Sequence, residues 1–125
     1  MRLNDYQQSL LLSWEEIFKK GQLTLWISLA LKDGPKHMAD IKAFIIDLVN
    51  GTTDVDDQSI YRALRRYYSA EIVDFKMVPS SNGPDKKIYF LTRNGLALLD
   101  AFCKRNIVSV FYRPDVKQLI EKGTK

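Results

Sequence analysis

Gln58-Ser-Ile-Tyr-Arg-Ala-Leu-Arg-Arg-Tyr-Tyr68 decides the fold. Placed on a helix at about 100° per residue, Ile60, Ala63, Leu64, Tyr67 and Tyr68 fall on one side. Gln58, Ser59, Arg62, Arg65 and Arg66 fall within an arc of about 120° on the other. The first face suits a hydrophobic core and the second suits hydrogen bonding to an anion. Arginine forks match phosphates and guanine edges, and Gln and Ser can also read base edges. Tyr61 lies at the edge of the polar arc, where core packing and phosphate contact are both open.

Two strands are expected after this helix. In the first, about 72–78, Val73, Phe75 and Met77 alternate with Asp74 and Lys76; the second, about 86–91, is rich in β-formers. Pro79 to Asp85 joins them as an exposed tip beside Lys86 and Lys87. Both lysines could be ordinary edge-strand charges that discourage aggregation; because they alternate faces, only one of them is expected to reach a ligand held by the helix. A recognition-type helix followed by a β-wing predicts a mainly α fold with a small β-wing, a winged helix-turn-helix.

Upstream, residues 4–19 form an amphipathic helix with Tyr6, Leu10, Trp14, Ile17 and Phe18 on one stripe. A second helix, about 22–32, is apolar nearly all round. A third, about 36–49, turns Met38, Ile41, Ile45, Leu48 and Val49 inward and ends at Asn50-Gly51. Downstream, Thr92 is placed to cap a helix from 93 to about 105 with Leu96, Leu99, Phe102 and Cys103 as its stripe. Ile107 to Tyr112 reads equally as helix or strand. Pro114 breaks the chain before a last short helix near 115–122.

The 125 residues suit one domain, and 46% hydrophobic with 27% charged residues is ordinary for a globular protein. Net charge is +4, and the excess lies in residues 93–125, which carry seven basic and three acidic side chains. Bulk charge therefore says little about the 57–69 helix, and local placement must carry the argument. The longest apolar run, Leu23 to Leu31, is well short of the roughly 20 residues of a membrane span, and no signal peptide is recognisable. A cytoplasmic protein is expected, with no membrane partner.

Catalytic and metal chemistry find no foothold. His37 is the single histidine and Cys103 the single cysteine, which cannot make a usual zinc site or a catalytic triad, and no phosphate-binding glycine loop occurs. Asp54, Asp56 and Asp57 lack the glycine and glutamate of a calcium loop and suit helix capping instead. They would also repel phosphate. His37 is expected at a surface or cap, Cys103 in packing, and Trp14 and Trp26 in the core, with an aromatic ligand site as the other possibility for the tryptophans. No enzyme activity, cofactor or metal is expected.

At this point the chain resembles the PadR family of transcription regulators over residues 20–102. Lys20-Gly21 to Leu31 and Asp33-Gly34-Pro35 resemble that family's opening helix and turn. Ser59-Ile-Tyr-Arg-Ala-Leu-Arg-Arg66 resembles its recognition helix, and Gly83-Pro84, Lys87, Tyr89 and Leu91-Thr92-Arg-Asn-Gly95 resemble its wing and the start of its C-terminal helix. The chain departs from the family pattern at Arg62, where a proline is usual, at Glu71, where a glycine is usual, and at His37-Met-Ala-Asp-Ile41. Ile107 to Pro114 interrupts the long C-terminal helix by which the family dimerises.

The resemblance and the residues together imply a sequence-specific regulator, of repressor type, that binds double-stranded DNA as a homodimer. Residues 1–21 would form a dimerisation helix, 22–92 the winged-helix DNA-binding domain, and 93–125 a second dimerisation segment. Gln58, Ser59, Tyr61, Arg62, Arg65, Arg66, Lys86 and Lys87 would contact DNA. Leu10, Trp14, Phe18, Leu99 and Phe102 would pair the subunits. A small aromatic or lipophilic effector could lie in that interface. The competing expectation is a winged-helix protein-interaction module that turns the same face to an acidic protein and binds no DNA.

Overall fold

The computed structural model describes residues 2–122; Met1 and residues 123–125 of the two end segments lie outside the described residues. Helix α1 (Asp5–Lys19) opens on a capping box in which Asn4 and Gln7 bond each other's backbone N–H at 2.8 and 2.9 Å. Helix α2 (Gln22–Asp33) runs into the Gly34-Pro35 turn. Lys36 then folds back, and its ammonium donates to the Ala30 carbonyl and the Asp33 carboxylate at 2.8 and 2.7 Å. A cation is favourable at that negative helix end.

Helix α3 (Met38–Leu48) starts two residues later than expected because His37 caps it, Nδ1 accepting from the Ala39 N–H at 3.0 Å. Leu48 was expected inward but is 44% exposed. The inner stripe is Ile41, Ile45 and Val49, spaced by four, and Leu48 lies beside it. Helix α4 (Asp57–Ser69) follows, then the antiparallel strands β1 (Val73–Val78) and β2 (Lys86–Leu91), with Val73 opposite Leu91 and Met77 opposite Lys87. Lys36 adds a third, one-residue strand through two backbone bonds to Tyr89 at 3.0 and 2.8 Å.

Helix α5 (Arg93–Cys103) begins at Thr92, whose hydroxyl accepts from the Gly95 N–H and donates to the Glu71 carbonyl. The ambiguous stretch after it is helical. One π turn (Lys104–Val108) carries α5 into α6 (Ser109–Phe111). Asn106 and Ser109 donate side-chain bonds to the carbonyls of Phe102 and Arg105 across this turn. The long C-terminal helix is thus present, and the break falls at Arg113, before α7 (Pro114–Glu121). No helix among the described residues is long and apolar enough to cross a membrane.

The core sits where α2, α3 and α4 meet the sheet. Ile27, Ile41, Ile45, Ile60, Leu64 and Val73 are fully buried, and Tyr89, Leu91 and Leu99 close it from the sheet and α5. Tyr67 reaches in from α4, and its hydroxyl pairs with that of Thr24. Trp26 packs against this core, as expected. Trp14 does not: it is 71% exposed, and no residue of α1 is fully buried. The α2–α4 core is complete without it.

Helix α4 ends in a Schellman closure, with the Ile72 N–H bonded to the Tyr67 carbonyl and the Glu71 N–H to the Tyr68 carbonyl, at 2.8 and 3.1 Å. This puts Glu71 in the left-handed region at φ 62°, a conformation that glycine adopts without steric cost. The conformation costs an ordinary L-residue about 1–2 kcal/mol. Glu71→Gly is therefore expected to raise stability by about 1 kcal/mol, moving Tm up by roughly 3–5 °C in a thermal melt. An unchanged or lower Tm would mean the Glu71 side chain offsets its own backbone cost.

Candidate nucleic-acid interface

Helix α4 holds its polar face outward because its other face is locked into the core by Ile60, Ala63, Leu64 and Tyr67. Its start is fixed twice. Asp56 is the N-cap, its carboxylate accepting from the Ser59 N–H at 2.7 Å and the Ser59 hydroxyl at 3.0 Å. Those bonds, the backbone one foremost, hold the Asp56 carboxyl below its ordinary range. A depressed carboxyl contributes stability at neutral pH and loses it as pH falls through the lowered value, so this cap weakens only in acid. Asp57 pairs with Lys42 of α3 at 2.9 Å, tying the two helices of the helix-turn-helix together.

Two of the three acids expected to repel phosphate are therefore engaged, and among the described residues no acidic cluster could hold a metal. Lys42 was not singled out from the sequence. Nothing in its own surroundings marks it, since its partner lies 15 positions away across a turn.

Gln58, Arg62, Arg65 and Arg66 are exposed, and Ser59 is half-buried against its cap. The three arginines line one shallow hollow with Ser69 and Ala70. None is in an ion pair among the described residues. Tyr61 is settled as a surface residue, 43% exposed with the Arg65 guanidinium 5.9 Å from its ring. Tyr68 departs from its expected core face. It is half-exposed and leans on Phe75 of β1, ring centroids 5.1 Å apart.

The strand register separates the two wing lysines. Val73, Phe75 and Met77 share a face with Leu91, Tyr89 and Lys87, and that face looks onto α4. Lys86 stands on the opposite face with Lys76. Of the pair, Lys87 is the one on the face that carries Phe75, which packs on Tyr68 of α4. Tyr89, buried beneath, has its phenol pushed above its ordinary value by burial, with Tyr61 adding to the effect.

The residues expected to pair subunits divide. Leu10, Trp14, Phe18 and Phe102 are 52, 71, 60 and 47% exposed. Leu99 is a correction: at 9% exposure it belongs to the subunit's own core, because α5 turns that residue onto α2 and the sheet. Its neighbour Leu98 is the exposed one. Phe18, Leu25, Leu98, Phe102, Ile107 and Phe111 line an apolar hollow of about 700 Å³ between the α1–α2 junction and the long C-terminal helix. The sequence hid this hollow because its far wall depends on α5 continuing into α6.

The sequence matches the model of the transcriptional regulator PadR-like family over residues 27–101, more than half of the chain. No curated protein matches it. Among solved structures it is similar to a PadR-like transcriptional regulator from Bacillus cereus, with 25% identity, a TM-score of 0.65, and coverage of 84% of this chain and 97% of that one. A PadR family regulator from Eggerthella lenta is 16% identical with a TM-score of 0.65 over 96% of this chain and 100% of its own. Bacillus subtilis PadR, solved in complex with operator DNA, is 21% identical with a TM-score of 0.59; the match covers 64% of this chain and 46% of that one.

Proposed function

Because this chain belongs to the PadR-like family of transcriptional regulators, we propose that it represses transcription as a homodimer on a pseudo-palindromic operator. The family's members are DNA-binding regulators and not enzymes. The observation that carries the proposal is the exposed face of α4 with Arg62, Arg65 and Arg66 in no ion pair among the described residues, beside a wing whose Lys87 face packs on that helix through Phe75 and Tyr68.

Helix α4 enters the major groove, α3 braces it through Lys42 and Asp57, and the wing meets the flanking backbone or minor groove. Gln58, Ser59 and Arg62 lie nearest the end that enters. The Ser59 hydroxyl already donates to Asp56, so toward a base it acts as an acceptor, suited to the amino group of adenine or cytosine. Arg65, Arg66 and Lys87 bind phosphates, and Tyr61 packs beside Arg65. Lys86, on the far face, contributes at most through its charge.

Pairing of subunits through α1 and the α5–α6 helix covers Leu10, Trp14, Phe18 and Phe102, a stripe too large to leave exposed on a soluble monomer. Half-sites then lie about 34–36 Å apart, one DNA turn. The apolar hollow beside Phe102 would take a small aromatic or lipophilic effector at this interface, and the cytoplasm is the place of action.

Arg62→Ala tests the reading role. Loss of a bidentate base contact relaxes preference at one operator position and costs about 1–3 kcal/mol against the preferred base. Binding measured across a library of single-base operator variants shows this directly. Equal weakening on preferred and random duplexes would make Arg62 a phosphate clamp.

A further inference from the structure

We propose that Phe75 is a positioning residue for DNA binding: the Tyr68–Phe75–Tyr89 ring stack holds the wing ammonium of Lys87 at a fixed offset from α4. This rests on the DNA-binding role proposed above and deepens it. The Phe75 ring lies 5.1 Å from that of Tyr68 on α4 and 5.7 Å from that of Tyr89 on β2, both tilted. The Lys87 ammonium sits 4.6 Å from the Phe75 centroid, on the ring face that attracts a cation.

The stack is anchored below. Tyr89 is 6% exposed and its backbone is bonded twice to Lys36, whose ammonium closes α2. It is open above, where Lys87 is exposed. Lys76 and Lys86, on the other face, have no ring beneath them among the described residues. A two-stranded ribbon alone is a weak scaffold. Stacking onto the reading helix makes the wing lysine move with α4, so the ordering of a long side chain is completed before DNA arrives.

Titration of random-sequence duplex DNA over a range of salt concentrations tests this. Lys87→Ala flattens the log affinity against log salt slope by about 1.8, one phosphate contact of about 0.9 from each of the two subunits. Phe75→Leu, with Lys87 still present, is expected to flatten it by nearly as much. The double variant should show no further flattening, and Phe75→Tyr, which keeps the ring, should hold the parent slope. Tyr68→Leu, at a half-exposed position, repeats the test without cutting into the core and decides it if Phe75→Leu fails to fold.

Additive losses from Phe75→Leu and Lys87→Ala, or a parent slope in both ring variants, overturn the positioning role while the wing contact stands. A parent slope for Lys87→Ala takes the wing off the DNA and the inference with it. No binding of duplex DNA by the unmutated protein defeats the proposed function itself.

Discussion

Trp14→Glu is expected to split the dimer and lower operator affinity by about 10²–10⁴-fold, without touching a DNA-facing residue. Trp14 is 71% exposed on α1, a helix of 15 residues none of which is fully buried within its own subunit. An isolated helix of that length is marginal in water, and its capping box alone does not hold it. Packing on a partner supplies what is missing. A carboxylate in the middle of the Leu10–Phe18 stripe must be desolvated to keep that packing, which is unfavourable. Once the subunits part, two linked half-site contacts become one, and the avidity between them is lost. Sedimentation should show the parent at twice 14.5 kDa and the variant at 14.5 kDa. A parent that sediments as a monomer at micromolar concentration, or a monomeric variant with undiminished affinity, would contradict the pairing.

The second large effect is on the fold. Gly95→Ala should destabilise the protein by about 1–3 kcal/mol, and by more if the backbone cannot shift. A Cβ on Gly95 would lie 2.1 Å from the Ile72 carbonyl oxygen and 3.2 Å from the Leu91 side chain. The first of these is backbone, so no rotamer change relieves it. That carbonyl is already committed, accepting from the Thr92 N–H at 3.0 Å. The first turn of α5 is thus pressed onto the end of α4 and the start of the wing. Chemical denaturation of the variant measures the loss, and a midpoint equal to the parent's would mean the contact is looser than its geometry.

Much of this was legible in the sequence because local signals agreed. The α4 stripe, the period-two alternation of β1, the Thr92 cap and the Asn50-Gly51 stop each named an element by its own chemistry. His37 was expected at a surface or cap and is the N-cap of α3; the start near 36 lay two residues early because the cap role was not carried into the helix bounds. Other features had no local signature. Leu99 and Leu98 both fit an apolar stripe, and only the angle at which α5 lands on α2 decides which is buried. Ile107 to Tyr112 stayed undecided because a π turn disturbs the helical period that would have identified it.

The proposed interface follows the same division. Periodicity placed Gln58, Arg62, Arg65 and Arg66 together, and they are exposed on one helix face. Lys42 pairs with Asp57 across a turn and Phe75 stacks on Tyr68 from a strand, and no spacing within the chain points to either contact. The departure at Glu71 became intelligible only with its φ, since the sequence shows a missing glycine but not the left-handed turn that favours one.

The central claim is that the α4–wing face binds the backbone of duplex DNA. Affinity of the unmutated protein for random-sequence duplex DNA, measured at 50 and 200 mM salt, tests it most directly. Arg65, Arg66 and Lys87 from two subunits offer six phosphate-binding groups. Neutralising one phosphate with each predicts a loss of about 10³-fold between the two conditions. No binding at 50 mM salt, or binding that ignores salt, would contradict the account and leave the face to an acidic protein partner.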